Sequence, residues 1–212
     1  EHEYGEQKWS SCIMLRDGRV LFVPYNSTSI VLLNTRDMSW EEVGHFEGMH
    51  KWSGHAVLPD GRVVFIPFNY PSILLFDPAC NTWEEMGRFE GQYKWLGGAV
   101  LLDGKVVFVP CSSHFILLID PITKTWEELG DFPAICKWNG CAVTLDGRVV
   151  FAPANSATIL LFDPASKTWE EFGGFEGEFK WSGGTTLPNG TILFAPSRSN
   201  SILSLQVAVS GL

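Results

Sequence analysis

The sequence predicts an all-β fold, a five-bladed β-propeller of four-stranded antiparallel blades, on three observations. A 43-residue text recurs, each full copy holds four short strand-like runs, and a glycine turn signal separates the first two. The dipeptide Lys-Trp marks the register at Lys8-Trp9, Lys51-Trp52, Lys94-Trp95, Lys137-Trp138 and Lys180-Trp181, every spacing being 43. The repeats are 8–50, 51–93, 94–136, 137–179 and 180–212, read as one domain over 1–212.

Repeat two shows each element in order. The first strand, SGHAVL (53–58), runs into Asp60-Gly61, with Asp17-Gly18, Asp103-Gly104, Asp146-Gly147 and Asn189-Gly190 in register. Such a pair between apolar runs predicts a two-residue type I′ hairpin, which needs positive φ twice. The second strand, VVFIP (63–67), is almost wholly apolar, so burial on both faces is expected. Pro24, Pro67, Pro110, Pro153 and Pro196 stop it, because proline cannot donate to a ladder. The third strand, ILLFD, ends at Asp-Pro in three copies, and the fourth is Trp-Glu-Glu at Trp40, Trp83, Trp126 and Trp169. One such sheet cannot bury both its faces, so Trp and Phe are expected between neighbours. A β-solenoid would need shorter repeats and parallel pairing, which the hairpins oppose. The last copy ends without Trp-Glu-Glu, so its blade is expected to lack the outer strand in repeat register.

Composition narrows the classes. Apolar residues make up 45% and charged residues 18%, enough for a real core. A net charge of −9 opposes a nucleic-acid partner. No apolar run of about eighteen residues is present, so no membrane span is expected, and no basic-then-apolar leader is seen. The five cysteines, Cys12, Cys80, Cys111, Cys136 and Cys141, do not recur at matching places in every repeat; they read as free thiols, leaning to an intracellular setting. Sequons at Asn26 and Asn189 point the other way.

The run FDPASKTWEEF (162–172) resembles the kelch pattern of an aromatic residue, Asp-Pro, a short turn and Trp, and GHAVLPDGRVVFI (54–66) is similar to the kelch first hairpin. The resemblance covers all five repeats. It departs at the kelch double glycine, where this chain has Pro-x-Asn or Pro-x-Ser. It implies a propeller and a leaning toward protein or glycan binding.

In a four-strand meander the loops joining strands two and three share one face with the lead-in to the next blade. That face varies most among the copies: PYNSTS, PFNYPS, PCSSHF, PANSAT and PSRSNS, with Gln7, His50, Tyr93, Cys136 or Phe179 before each Lys. Candidate ligand-binding residues are therefore Lys8, Lys51, Lys94, Lys137, Lys180, Asn26, Asn69, Ser112, Asn155, Arg198, His50 and Tyr93. The five Lys would encircle an axis and suit an anion, with Glu47, Glu90 and Glu176 as neighbours; alternatively each Lys lies over a Trp or pairs with a Glu. Trp9, Trp52, Trp95, Trp138 and Trp181 could stack sugars, though register favours packing. The Glu pairs of the fourth strand point to opposite faces and cannot aim at one bond.

The expected function is a non-catalytic scaffold, not an enzyme, binding a glycan, a small anion or a protein at the variable face. No cofactor and no metal site are expected. A structural or amplified repeat without ligand is the first alternative, and a glycoside-active enzyme at the central channel the second. The chain is read as a monomer, chain-swapped completion of the last blade being the variation on that reading.

Overall fold

The computed structural model describes residues 7–133 and 135–208. Nineteen strands, and no helix, are found among the described residues. The first sheet holds β1 (Trp9–Met14), β2 (Arg19–Pro24), β3 (Ile30–Asn34) and β4 (Trp40–Val43); the second β5 (Trp52–Val57), β6 (Val63–Pro67), β7 (Ile73–Asp77) and β8 (Thr82–Met86). The third holds β9 (Trp95–Val100), β10 (Val106–Pro110), β11 (Ile116–Asp120) and β12 (Thr125–Leu129). The fourth holds β13 (Trp138–Val143), β14 (Val149–Pro153), β15 (Ile159–Asp163) and β16 (Thr168–Phe172). The fifth holds β17 (Trp181–Thr186), β18 (Thr191–Pro196) and β19 (Leu203–Gln206). Each sheet is an antiparallel meander in chain order. The four strands read in each of the first four repeats are present.

The hairpin between the first two strands is not the type I′ turn the sequence suggested. Only the glycine takes positive φ, 94° at Gly61, while Asp60 does not. Leu58 pairs with Arg62 across three residues, its N–H donating to Arg62 O at 2.8 Å, and Gly61 N–H donates to Leu58 O at 3.0 Å. This is a type I turn followed by a left-handed glycine, the usual three-residue hairpin. Asp60 is needed for its carboxylate, which accepts Arg62 N–H at 3.0 Å and Arg62 Nε at 2.8 Å. The Arg62 guanidinium holds its carboxyl below the ordinary carboxylate value.

The chain divides into two compact units, one up to Lys94 and one from Trp95 onward. In the first unit Leu21, Val23, Ile30 and Leu32 of the first sheet meet Trp52, Phe65, Leu74 and Phe76 of the second. Phe46, on the connection between the sheets, stands edge-on to Trp52 at 5.2 Å and to Trp83 at 5.3 Å. Gly44 allows this, since a Cβ there would lie 2.5 Å from the Phe46 ring. In the second unit the third sheet packs on the fourth through Val107, Val109, Ile116 and Leu118 against Trp138, Phe151, Leu160 and Phe162. The fourth packs on the fifth through Val150, Ala152, Ile159 and Leu161 against Trp181, Ile192 and Phe194. Strands β6, β10 and β14 are buried at every residue, as their apolar runs suggested, whereas β2 and β18 are not.

The cysteine reading needs correction. Cys111 and Cys136 form a disulfide, leaving Cys12 and Cys80 exposed and Cys141 buried as free thiols. Their 25-residue separation is the spacing of Tyr25–His50 and Phe68–Tyr93, so the bridge occupies a position that other repeats fill with ring pairs. A search confined to identical residues at every copy misses such an exchange.

Candidate functional site

Three of the five loops between second and third strands reach the lead-in of the following repeat through one recurring bond. Asn26 Oδ1 accepts the backbone N–H of His50 at 2.8 Å, and Asn69 Oδ1 that of Tyr93 at 2.8 Å. In the second unit Asn155 Oδ1 accepts Phe179 N–H at 2.9 Å. The accepting amide steadies an unusual backbone, because His50, Tyr93 and Phe179 have φ of 54°, 55° and 48°. A non-glycine residue in the left-handed region costs about 1–2 kcal/mol, and it turns the side chain out of the strand line. Ser112 stands in the Asn register in the third repeat, half-buried beside the disulfide.

In the first unit this geometry assembles a row of rings. Tyr25 stacks on His50 at 4.7 Å and 23°, Phe68 meets Tyr93 at 5.0 Å, and Tyr25–Phe68 and His50–Tyr93 close the group at 6.2 Å each. Tyr93 is 42% exposed, and the other three rings are half-buried. Burial, with Tyr93 beside it, raises the pKa of the Tyr25 hydroxyl, so it remains a neutral donor and acceptor at ordinary pH. His50, Tyr93, Asn26 and Asn69 were anticipated from sequence. Tyr25 and Phe68 were not. Their signal was an aromatic residue directly after the strand-ending proline in repeats one and two alone, 25 residues before an aromatic lead-in. In the second unit a smaller counterpart places the exposed Arg198 guanidinium over the Phe179 ring at 4.7 Å.

The lysines divide by environment. Lys51, Lys94 and Lys180 are 1%, 3% and 4% exposed, and each Nζ donates to the carbonyl three residues earlier, at Gly48, Gly91 and Gly177. Lys180 also donates to Ala154 O and Ser156 O of the preceding repeat, both at 2.8 Å. Burial lowers the pKa of all three, that of Lys94 to about 8. Lys137 lies over Trp138 at 4.6 Å and pairs with Glu171 at 3.6 Å, and the exposed Lys8 lies 5.8 Å from the Trp9 centroid. Of the carboxylates expected beside the lysines, Glu47 pairs with His45 and Glu90 with Arg88. Trp52, Trp95, Trp138 and Trp181 are buried, and Trp52, Trp138 and Trp181 pack between neighbouring sheets of one unit. The adjacent glutamates diverge as strand geometry requires: Glu42 accepts Ser29 Oγ, while Glu41 accepts Arg19 and Asn81. No cluster of three or more potential metal ligands occurs among the described residues. No helix among them is long and apolar enough to cross a membrane.

No family model matches the chain, and no curated protein does either. Solved structures match it over nearly its full length. A virginiamycin B lyase from Staphylococcus aureus superimposes with a TM-score of 0.77 at 14% identity, covering 97% of this chain and 72% of its own. A streptogramin B lyase gives 0.75 at 18%, covering 89% and 62%, and a chain of a nidogen/laminin complex gives 0.68 at 11%, covering 92% and 73%. The chain thus spans from 62% to 72% of the two lyase chains. These neighbours are β-propeller proteins, and the chain shares that fold, all-β and built of four-stranded antiparallel sheets. The expectation that the chain is not an enzyme is overturned here. It rested on the lack of a catalytic signature in sequence, and the fold is one that lyases use.

Proposed function

We propose that the chain binds carbohydrate on the loop rim of its first unit, stacking sugar rings on Tyr25, His50, Phe68 and Tyr93. The contiguous ring row carries this reading. Aromatic rings present an apolar body with a polar tip, which suits the mixed apolar and hydroxyl faces of a sugar. Asn26 and Asn69 sit beside the rings with their Oδ1 atoms committed to the frame, which orients each Nδ2 for a hydroxyl. A free anion is less well served, since Lys51 and Lys94 bury their ammonium groups on carbonyls. The wider reading, a propeller of five kelch-like blades whose last lacks its outer strand, is proposed with it and draws its support from the five copies of the 43-residue text.

A glycan array followed by calorimetry on the best ligand tests the site. Tyr93→Ala and His50→Ala should each weaken binding about tenfold, the worth of roughly 1.4 kcal/mol for one stacked ring. An array without hits, or unchanged affinity in both variants, rejects the reading.

A further inference from the structure

The first sheet has one face that no other sheet of the first unit covers. Phe22, Val31 and Leu33 are half-exposed, whereas their counterparts in register, Phe65, Leu74 and Phe76, are fully buried. Trp40 is 62% exposed against 38% for Trp83, and the indole Nε1 of Trp9 is buried without a hydrogen-bond partner among the described residues. Between Trp9 and Trp40 lies a groove of about 800 Å³, floored by Phe22, Val31 and Leu33 and edged by Lys8, Ser29 and Glu42.

The molecule itself shows what fits such a face. At the joint of the first and second sheets the cover is Leu21, Val23, Ile30 and Leu32. At the joint of the third and fourth it is Val107, Val109, Ile116 and Leu118, the same positions two repeats on. The fourth sheet covers the fifth through the same positions again. The fifth sheet carries this covering face too, as Leu193, Ala195 and Ile202, and it is open: Ile202 is 63% exposed, and a shallow apolar depression of about 310 Å³ runs beside it.

We propose that the open face of the first sheet binds the open covering face of the fifth sheet of a second copy of this chain. The contact is head-to-tail, joining two different surfaces, so a sequence reading as a monomer gives way to self-association. The chemistry is that of the internal joints, with aliphatic ridges from one sheet set into a Trp- and Phe-lined face of the next.

Val31→Glu and Ile202→Glu separate the two surfaces, because each charge disables one face and spares the other. Sedimentation velocity over a concentration series should show wild-type chain assembling as concentration rises and each variant alone staying monomeric. An equimolar mixture should form dimers and nothing larger, since one good face remains on each partner. Leu33→Glu and Ala195→Glu provide a second pair, and circular dichroism reports folding for all four. A wild type monomeric throughout, or a mixture of folded variants that stays monomeric, overturns the proposal.

Discussion

Lys180 carries a charge at 4% exposure, and three carbonyls at 2.8 Å account for it. Replacing it with Met keeps the stem but strands the Gly177 and Ser156 oxygens in a dry joint, while Ala154 O keeps the backbone N–H of residue 180. Lys180→Met should lower unfolding free energy by about 3 kcal/mol, read from urea melts. The sequence exposed the recurrence of this lysine but not its burial, because backbone carbonyls are partners that no residue pattern announces. His55 is a second residue with a legible consequence. It is half-buried on β5 with Ser11 Oγ 2.9 Å from Nδ1, and burial pushes it down from 6.5 to about 4. Between those values the unfolded chain takes a proton that the folded chain refuses. Its contribution is therefore complete above about pH 6.5 and is lost as pH falls toward about 4. Urea midpoints measured across that interval should fall less steeply in His55→Gln than in the parent chain.

At the scale of elements, strands were the most readable feature. β6, β10 and β14 and their proline stops follow directly from apolar runs and from a residue that lacks an N–H. The turn type was less readable, since Asp-Gly serves both a two-residue and a three-residue hairpin, and only the Leu58–Arg62 pairing decides. The joint between the third and fourth repeats was hidden altogether. Cys111 and Cys136 replace a ring pair with a bond, and a disulfide closing 25 residues is worth about 3.5 kcal/mol in the chain-entropy account. Dithiothreitol should lower the melting temperature of the wild-type chain. The double variant Cys111→Ser, Cys136→Ser should melt at that reduced temperature and ignore the reagent. Cys141 does not complicate the readout, because burial raises its thiol to about 12.

Over the whole molecule, the period of 43 made the fold class legible, while the candidate site was legible only in part. The Asn residues and the lead-in residues lay in plain view as variable positions. What assembled them into a ring row was the left-handed backbone at His50 and Tyr93, which single residues do not advertise when they are not glycine. Catalytic status was not legible at all, since the lack of a catalytic motif in near-identical repeats does not decide the matter for a fold that lyases also use. The amide bond from Asn26, Asn69 or Asn155 to the next lead-in has one more consequence. It secures the main chain and is indifferent to what the main chain displays, so His, Tyr and Phe occupy equivalent sockets. Such a surface can change its preference by swapping displayed groups one at a time while the framework that holds them stays the same, which makes selectivity and foldability separately heritable in this chain.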